Sequence, residues 1–372
     1  MRRVTYVSGT RADFGLMRST LLMMDADPRF ELSVVVTGMH LLSKYGNTVE
    51  EIQNSGLSIA GRLPVKLSGA DGAQMAIALG QQVIKFTELW SQSRPDIILL
   101  LGDRGEMLAA ALAALHLNIF IAHLHGGERS GTIDESIRHA ISKIAHVHLT
   151  ATLRSQNRLV QMGESPDAVY LVGAPGLDGL LDANSVSKDR LFKKYGLSPD
   201  RQTVLVLFHP VVQQSKDSGQ QIAHILQALG RINGQVLFIA PNADAGGSAI
   251  RKVLLESSVQ VISHLPRADF LAFLKHADVL AGNSSSGIIE AASFGIPVVN
   301  IGDRQRGRER NANVRDVPVD PWKIYQAVSE ALNLGRVSCE NIYGDGRAGQ
   351  RIISVLAKVC LAPGRLEKCN VY

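Results

Sequence analysis

The chain has 372 residues, of which 45% are hydrophobic and 20% charged, enough apolar material for about two domains of ~150–200 residues each. That excludes a peptide ligand and a chain that is mainly disordered. The net charge of +5 and a pI of about 9.1 raise the question of nucleic acid, but basic residues gather in one tract only, Arg304 to Arg310, and no RRM, KH or helix-turn-helix signature appears, so no nucleic-acid partner is expected.

The apolar run Ile97 to Leu101 is far short of the ~18 residues a membrane span needs. Met1-Arg2-Arg3 runs into Ser8, Gly9, Arg11 and Asp13 before an apolar region of ~7–15 residues can form, so no signal peptide and a cytoplasmic location are expected. Cys339, Cys360 and Cys369 lack CxxC spacing and are expected to be reduced thiols.

In chain order, Val4 to Val7 is a short β-branched run that enters Ser8-Gly9-Thr10-Arg11-Ala12-Asp13-Phe14-Gly15, read as a glycine-bearing loop, before a helical pattern from Leu16 to Met24. Glu31 to Thr37 repeats the strand signal, and Asn47 to Ser55 reads as a helix. Asp96 to Leu101 is a buried-strand run stopped by Gly102-Asp103-Arg104; an Ala/Leu-rich helix follows from Glu106 to His116. A strand over Ile119 to Leu124 ends at His125-Gly126-Gly127-Glu128, a helix spans Ile133 to Ala145, and a strand spans His146 to Thr150. The alternation breaks near Gly173 to Gly176 and the polar stretch Ala183 to Asp189. It resumes in strands at Thr203 to Phe208, Gln235 to Ala240, Val259 to Ser263, Ala277 to Ala281 and Ile296 to Ile301. This predicts two α/β domains with parallel sheets, residues 1–180 and 181–350, and a segment 351–372 that packs back on the first domain. Ligands of such sheets bind beyond the carboxyl ends of the strands, so the cleft between the domains is the expected site.

The informative residues fall just after strands. Gly282-Asn283-Ser284-Ser285-Ser286-Gly287 opens a helix and reads as a phosphate cradle or as an ordinary N-cap. Glu290 follows where a carboxylate can take two ribose hydroxyls, and Arg304 adds a cation near the phosphate. Gly9 to Gly15 lacks GxGxxG and an acidic residue ending the second strand, so no nicotinamide cofactor is expected; Arg11 could reach across the cleft to the same anion. Asp103, His125, Glu128 and Asp134, beside Arg104 and Arg138, suit acid–base work on a sugar ring. Asp134 reads equally as a first-turn acid of its helix. His123, His125, His146 and His148 sit in i, i+2 pairs that do not guarantee four ligands, so no metal is expected. His209, before Pro210, reads as a phosphate contact facing the cleft or a loop histidine.

Taken together, Ser8 to Gly15, Val36-Thr37-Gly38-Met39-His40, Leu101 to Arg104, His123 to Glu128 with Asp134 and Ser136 to His139, Phe208-His209-Pro210, Pro241-Asn242-Ala243-Asp244 and Gly282 to Gly287 resemble the hydrolysing UDP-N-acetylglucosamine 2-epimerases of bacterial sialic acid synthesis and the epimerase half of the bifunctional animal enzyme. The resemblance implies a GT-B-like fold of two Rossmann-type domains, no cofactor, and a homodimer or homotetramer. It implies that Arg11, Gly15, Arg104, His209, Asn242, Leu265 through its backbone, Ser284, Ser285, Glu290 and Arg304 contact UDP, and that Asp103, Glu128 and Asp134 lie near the sugar. The animal enzyme carries a Glu where this chain has His125, so a carboxylate or His125 takes the proton at C2.

The chemistry implied is loss of UDP from C1 with removal of the C2 proton to give a glycal. Hydration from the opposite face then releases N-acetylmannosamine. Because no carbonyl flanks the C2 hydrogen, stabilising the leaving UDP is the larger task, assigned to the cations Arg11, Arg304 and His209 and the serine-lined helix start. A 4-acetamido-6-deoxy substrate, a GT-B glycosyltransferase, a non-hydrolysing epimerase and a silent UDP-sugar sensor are the rival readings.

Overall fold

The computed structural model describes residues 1–43, 46–65, 72–130, 133–180, 186–241, 244–263 and 265–371. The first sheet is built from β1 (Arg2–Ser8), β2 (Phe30–Thr37), β3 (Ile59–Leu63), β4 (Ile97–Leu101), β5 (Phe120–Leu124), β6 (Val147–Thr150) and β7 (Val169–Leu171). The second uses β8 (Thr203–Leu207), β9 (Gln235–Ile239), β10 (Gln260–Ile262), β11 (Val279–Gly282), β12 (Val298–Ile301) and β13 (Val314–Val317). Strand orders are β3-β2-β1-β4-β5-β6-β7 and β10-β9-β8-β11-β12-β13, and neighbouring strands pair in parallel. Both orders reverse direction beside the first strand of their sheet, so the chain ends of β1 and β4, and of β8 and β11, open the crevices that face each other.

The sheets are covered on both faces, which is why their central strands are continuous apolar runs: every residue of β4 and of β8 is buried. On one face of the first sheet Val4, Tyr6, Leu99 and Leu101 pack with Met17 and Leu21 of the helix Arg11–Asp25 and with Ile352 and Leu356 of the helix Ala348–Lys358. That last helix is pinned at its end by Arg2, whose guanidinium donates to the carbonyls of Leu356 and Val359, each at 2.7 Å.

The first helix starts at Arg11, not Leu16. Thr10 is its N-cap and Asp13 completes a capping box, so the segment read as a glycine-bearing loop is the helix's own first turn. The Asp13 carboxylate accepts from the Thr10 and Gly9 amides at 2.6 and 3.0 Å. The helix Gly72–Gln92 has no counterpart in the sequence analysis.

Candidate active site

Asp103 and Arg104 follow β4, the segment from His125 to Glu128 follows β5, and Asp134 lies in the first turn of the helix Ile133–Ile144. His209, Asp244, Leu265, Ser284 and Arg304 follow β8, β9, β10, β11 and β12 of the facing sheet. Asn242, expected at this edge, lies outside the described residues.

On the first side, His125 has a left-handed backbone, φ 61°. That conformation is uncommon for a residue with a Cβ and is held here by its surroundings. Gly127, φ 78°, could carry no side chain: a Cβ there would lie 2.3 Å from the Ser155 carbonyl oxygen. The turn brings His125 Nδ1 to 2.5 Å from Glu128 Oε1. The other oxygen of Glu128 meets Arg308 Nη1 at 2.8 Å, an arginine of the segment after β12. Burial opposes ionisation of Glu128, but Arg308 and His125 outweigh it and hold the carboxyl at about 2. A carboxylate on Nδ1 keeps the proton there and leaves Nε2 as the basic nitrogen. Arg138, fully buried, pairs with Asp103 and donates to the Glu128 carbonyl at 3.0 Å. Asp134 faces Arg304 at 3.9 Å across the cleft, and Arg104 reaches Asp244 at 3.2 Å.

On the second side, Gly282 has φ 130° and lies so close to β8 that a Cβ would sit 2.0 Å from the Leu207 carbonyl oxygen. Asn283 then clamps His209, accepting from its amide at 2.7 Å and donating to its carbonyl at 2.8 Å. Ser284 caps the helix Ser285–Ile289, and Arg304 and Gln305 both donate to the Asn283 carbonyl, at 3.2 and 2.9 Å. The Leu265 side chain belongs to the core.

Three expectations need correction. His209 was counted among the cations, but burial, helped by Arg304 and Arg104 against Asp244, pushes its pKa down to about 3, so it is neutral at ordinary pH. Glu290 was read as a carboxylate for two ribose hydroxyls; it closes the five-residue helix Ser285–Ile289, buried and paired with Arg267. Arg11 was to reach across to the anion held by the serines; its guanidinium instead meets Glu51 of its own domain at 2.6 Å, with Asp269 and Tyr195 of the other domain acting on it at longer range. Gly15 lies on the same helix with Arg267 against it: a Cβ there would be 3.5 Å from Arg267 Cδ.

Arg308 and Arg267 are the site residues that sequence reasoning missed. Arg308 was visible only as part of the basic tract, four residues beyond Arg304; Arg267 left no signal beyond following Leu265-Pro266. Three further histidines are held inside the fold. His123 sits 2.7 Å from the Gly102 carbonyl and 3.1 Å from Ser142 Oγ, His148 sits 2.9 Å from Glu164, and His40 bridges Ser8 and Thr48 at 2.9 and 2.8 Å. Among the described residues no three His, Cys, Asp or Glu side chains converge as a metal-holding group.

Two parallel-sheet α/β domains with strand ends facing across a cleft define a GT-B-like fold. The family model for UDP-N-acetylglucosamine 2-epimerase matches residues 23–357. A UDP-N,N'-diacetylbacillosamine 2-epimerase (hydrolyzing) of Legionella pneumophila is 47% identical over 100% of both chains. A UDP-N-acetylglucosamine 2-epimerase of Neisseria meningitidis is 33% identical, over 93% of this chain and 92% of its own. The crystal structure of a UDP-GlcNAc 2-epimerase from Neisseria meningitidis, bound to UDP-GlcNAc, superposes with a TM-score of 0.81 at 18% identity, over 96% of this chain and 100% of its own. The chain belongs to the UDP-N-acetylglucosamine 2-epimerase family.

Proposed function

We propose that the protein is a hydrolysing 2-epimerase that converts UDP-N,N'-diacetylbacillosamine into UDP and the free manno-configured sugar, for nonulosonic acid synthesis. The observation that carries the chemistry is the pairing across the cleft: His125, with Glu128 on one ring nitrogen, stands opposite the strand ends that bear His209, Ser284 and Arg304. The full-length relation at 47% identity favours the diacetylated substrate.

In this reading Arg104, Ser284, Ser285, Arg304, His209 and the Leu265 backbone hold the UDP moiety, with Glu290, Arg11, Gly15 and Asn242 at its nucleoside end. Arg304 and the hydrogen-bond donors around it stabilise the charge that builds on the diphosphate as the C1–O bond breaks. His209 enters as a neutral hydrogen-bond donor rather than a standing cation. As C1 becomes cationic, His125 Nε2 takes the C2 proton and the C–H electron pair forms the C1–C2 double bond of the glycal. Glu128 stays ionised and balances the imidazolium. Water then adds its oxygen to C1 while Asp134, carrying a proton taken up from solvent, delivers it to C2 from the other face, and the proton released by the water returns to the Asp134 carboxylate. Asp103, tied to Arg138, anchors that wall.

UDP-N-acetylglucosamine is the second reading, favoured by the Neisseria relative at 33% identity. Parallel incubations with each UDP-sugar, followed by NMR for free UDP and the released sugar in D₂O, test both. The expected result is faster turnover of the diacetylated sugar with deuterium at C2 of the product. Faster turnover of the N-acetylglucosamine nucleotide transfers the assignment to that substrate. Product without C2 deuterium defeats the elimination mechanism.

A further inference from the structure

The base side of the cleft is completed from the nucleotide side. Arg308 belongs to the segment between β12 and β13, yet its guanidinium is only 10% exposed and lies among first-domain carboxylates, 2.8 Å from Glu128 Oε2 and 3.9 Å from Asp103 Oδ2. The segment that delivers it is fastened to the serine loop. Gln305 and Arg304 donate to the Asn283 carbonyl, and Arg310 donates to the Gln305 and Arg308 carbonyls at 2.9 and 2.7 Å. Asn283 is the residue that clamps His209 and precedes Ser284. Hydrogen bonds therefore fasten the segment that carries Arg308 to the proposed phosphate-binding loop, and an ion pair at 2.8 Å joins Arg308 to the second oxygen of Glu128. The neighbouring Glu309 makes a further crossing contact with Thr152 of the first domain.

We infer that Arg308 is a positioning residue: seating of the nucleotide-bearing domain places its guanidinium on Glu128 and so completes the His125–Glu128 pair. This rests on the reading above of His125 as the base. A carboxylate with one oxygen on an imidazole and the other on a fixed guanidinium cannot rotate away from the ring. With the second domain swung out, Glu128 would be a buried carboxylate short of its strongest partner. Proton removal is then tied to a seated nucleotide domain, which protects the enzyme from arming its base against an empty cleft.

The groups that face this pair come from several elements. Arg138 meets the Glu128 backbone, His123 lies beneath the turn, and Arg158, Tyr343 and Asp103 act on it from the sides. Burial and Glu128 push the Tyr343 hydroxyl well above its ordinary value, so it stays neutral. Arg308 is the cation among them supplied by the second sheet. A cation there opposes any second positive charge beside Glu128, so the pH profile of kcat is the readout that its removal should move.

The test uses the full-length enzyme and its Arg308→Met and Arg308→Lys variants with the UDP-sugar that the wild type turns over. Arg308→Met should lose about 10²-fold in kcat, in the range for a mispositioned base, while UDP binding by calorimetry changes less than about threefold. The low-pH limb of kcat should move up by about one pH unit, and Arg308→Lys should recover part of the rate and move the limb back. An unmoved limb in Arg308→Met, or a loss of UDP affinity as large as the loss of kcat, overturns the inference. If Arg308→Met does not fold, Arg308→Gln takes its place and is judged by the same limb and the same calorimetry: an unmoved limb, or a UDP affinity that falls as far as kcat, overturns the inference. Failure of the wild type to place deuterium at C2 instead defeats the reading of His125, whatever the variants do.

Discussion

The first domain holds two histidine–glutamate pairs at comparable spacing, His125 with Glu128 at 2.5 Å and His148 with Glu164 at 2.9 Å. In both, burial raises the carboxyl and its partners more than reverse it, leaving each at about 2. They differ in where the balancing charge originates. Glu164 is satisfied within its own domain and by the chain end that lies on it: Lys143 at 2.8 Å and Lys368 at 2.5 Å complete its shell, and His148 is fully buried on the regular strand β6. Lys368 also donates to the carbonyls of Ser142, Lys143 and Ala145, closing the C-terminus of the helix Ile133–Ile144. Glu128 draws its cation from the other domain, and its histidine has a left-handed backbone at the edge of the cleft. The same two residue types thus form a structural staple where everything is supplied locally, and a site where one partner arrives from across a cleft.

Exchanging the carboxylate for its amide in each pair separates these roles. Glu128→Gln should lower kcat by about 10²–10⁴, the range for losing a group that supports a catalytic base, with UDP affinity within about threefold of wild type by calorimetry. Glu164→Gln should do the reverse. Leaving Lys143, Lys368 and His148 around a neutral amide breaks a buried ion cluster and should lower folding stability by about 3–5 kcal/mol in urea titrations. The kcat of the folded fraction should stay within about twofold. A Glu164→Gln enzyme of normal stability but impaired turnover would erase the distinction.

The strands that matter were readable because both sheets are buried on two faces: β4, β5, β8 and β11 are short apolar runs that end in glycine, histidine or asparagine. The serine loop and the acidic cluster were readable for the same reason, since polar residues immediately after such runs have no core to pack into. The first helix was started late because Gly15 inside it mimics a loop, whereas the signal for its true start is the Thr10–Asp13 capping box. The helix Gly72–Gln92 was missed because Ile77 and Ile84 are exposed, which blurs the apolar stripe that marks a surface helix. Arg308 and Arg267 were illegible in principle. Each partner, Glu128 and Glu290, is set by the way separate segments meet, and a basic residue in a loop carries no mark of what it will meet.

Glu290 tests the nucleotide side with a smaller effect. Its carboxylate is buried against Arg267, whose guanidinium also donates to the Gly176 carbonyl at 3.1 Å. Glu290→Ala should weaken UDP binding by about 1–3 kcal/mol through lost charge-assisted hydrogen bonds, leaving the pH profile of kcat in place. Unchanged UDP affinity by calorimetry would remove Glu290 from the nucleoside end and make it a structural partner of Arg267, the counterpart of Glu164.

The smallest expected effect concerns two buried histidines, His123 and the staple's own His148. Burial holds His123 at about 3, with His148 and His125 adding to the shift against the Gly102 carbonyl, and burial lowers His148 as well. Both folded values lie below the unfolded value of about 6.5. As the pH falls, the unfolded chain therefore takes up protons first, and the native state loses its advantage. The contribution of each group is complete above about pH 6.5 and declines below it, for His123 until about pH 3. Below pH 6 each such histidine contributes a slope of about 1.4 kcal/mol per pH unit. His123→Gln removes one titrating ring, so the loss of stability between pH 6.5 and 5.5 should be shallower than in wild type by about 1 kcal/mol. Urea midpoints at the two pH values measure it. An identical decline in both proteins would mean that His123 titrates in the native state as it does in the unfolded chain, and that the buried column is not closed to protons as its hydrogen bonds to Gly102 and Ser142 imply.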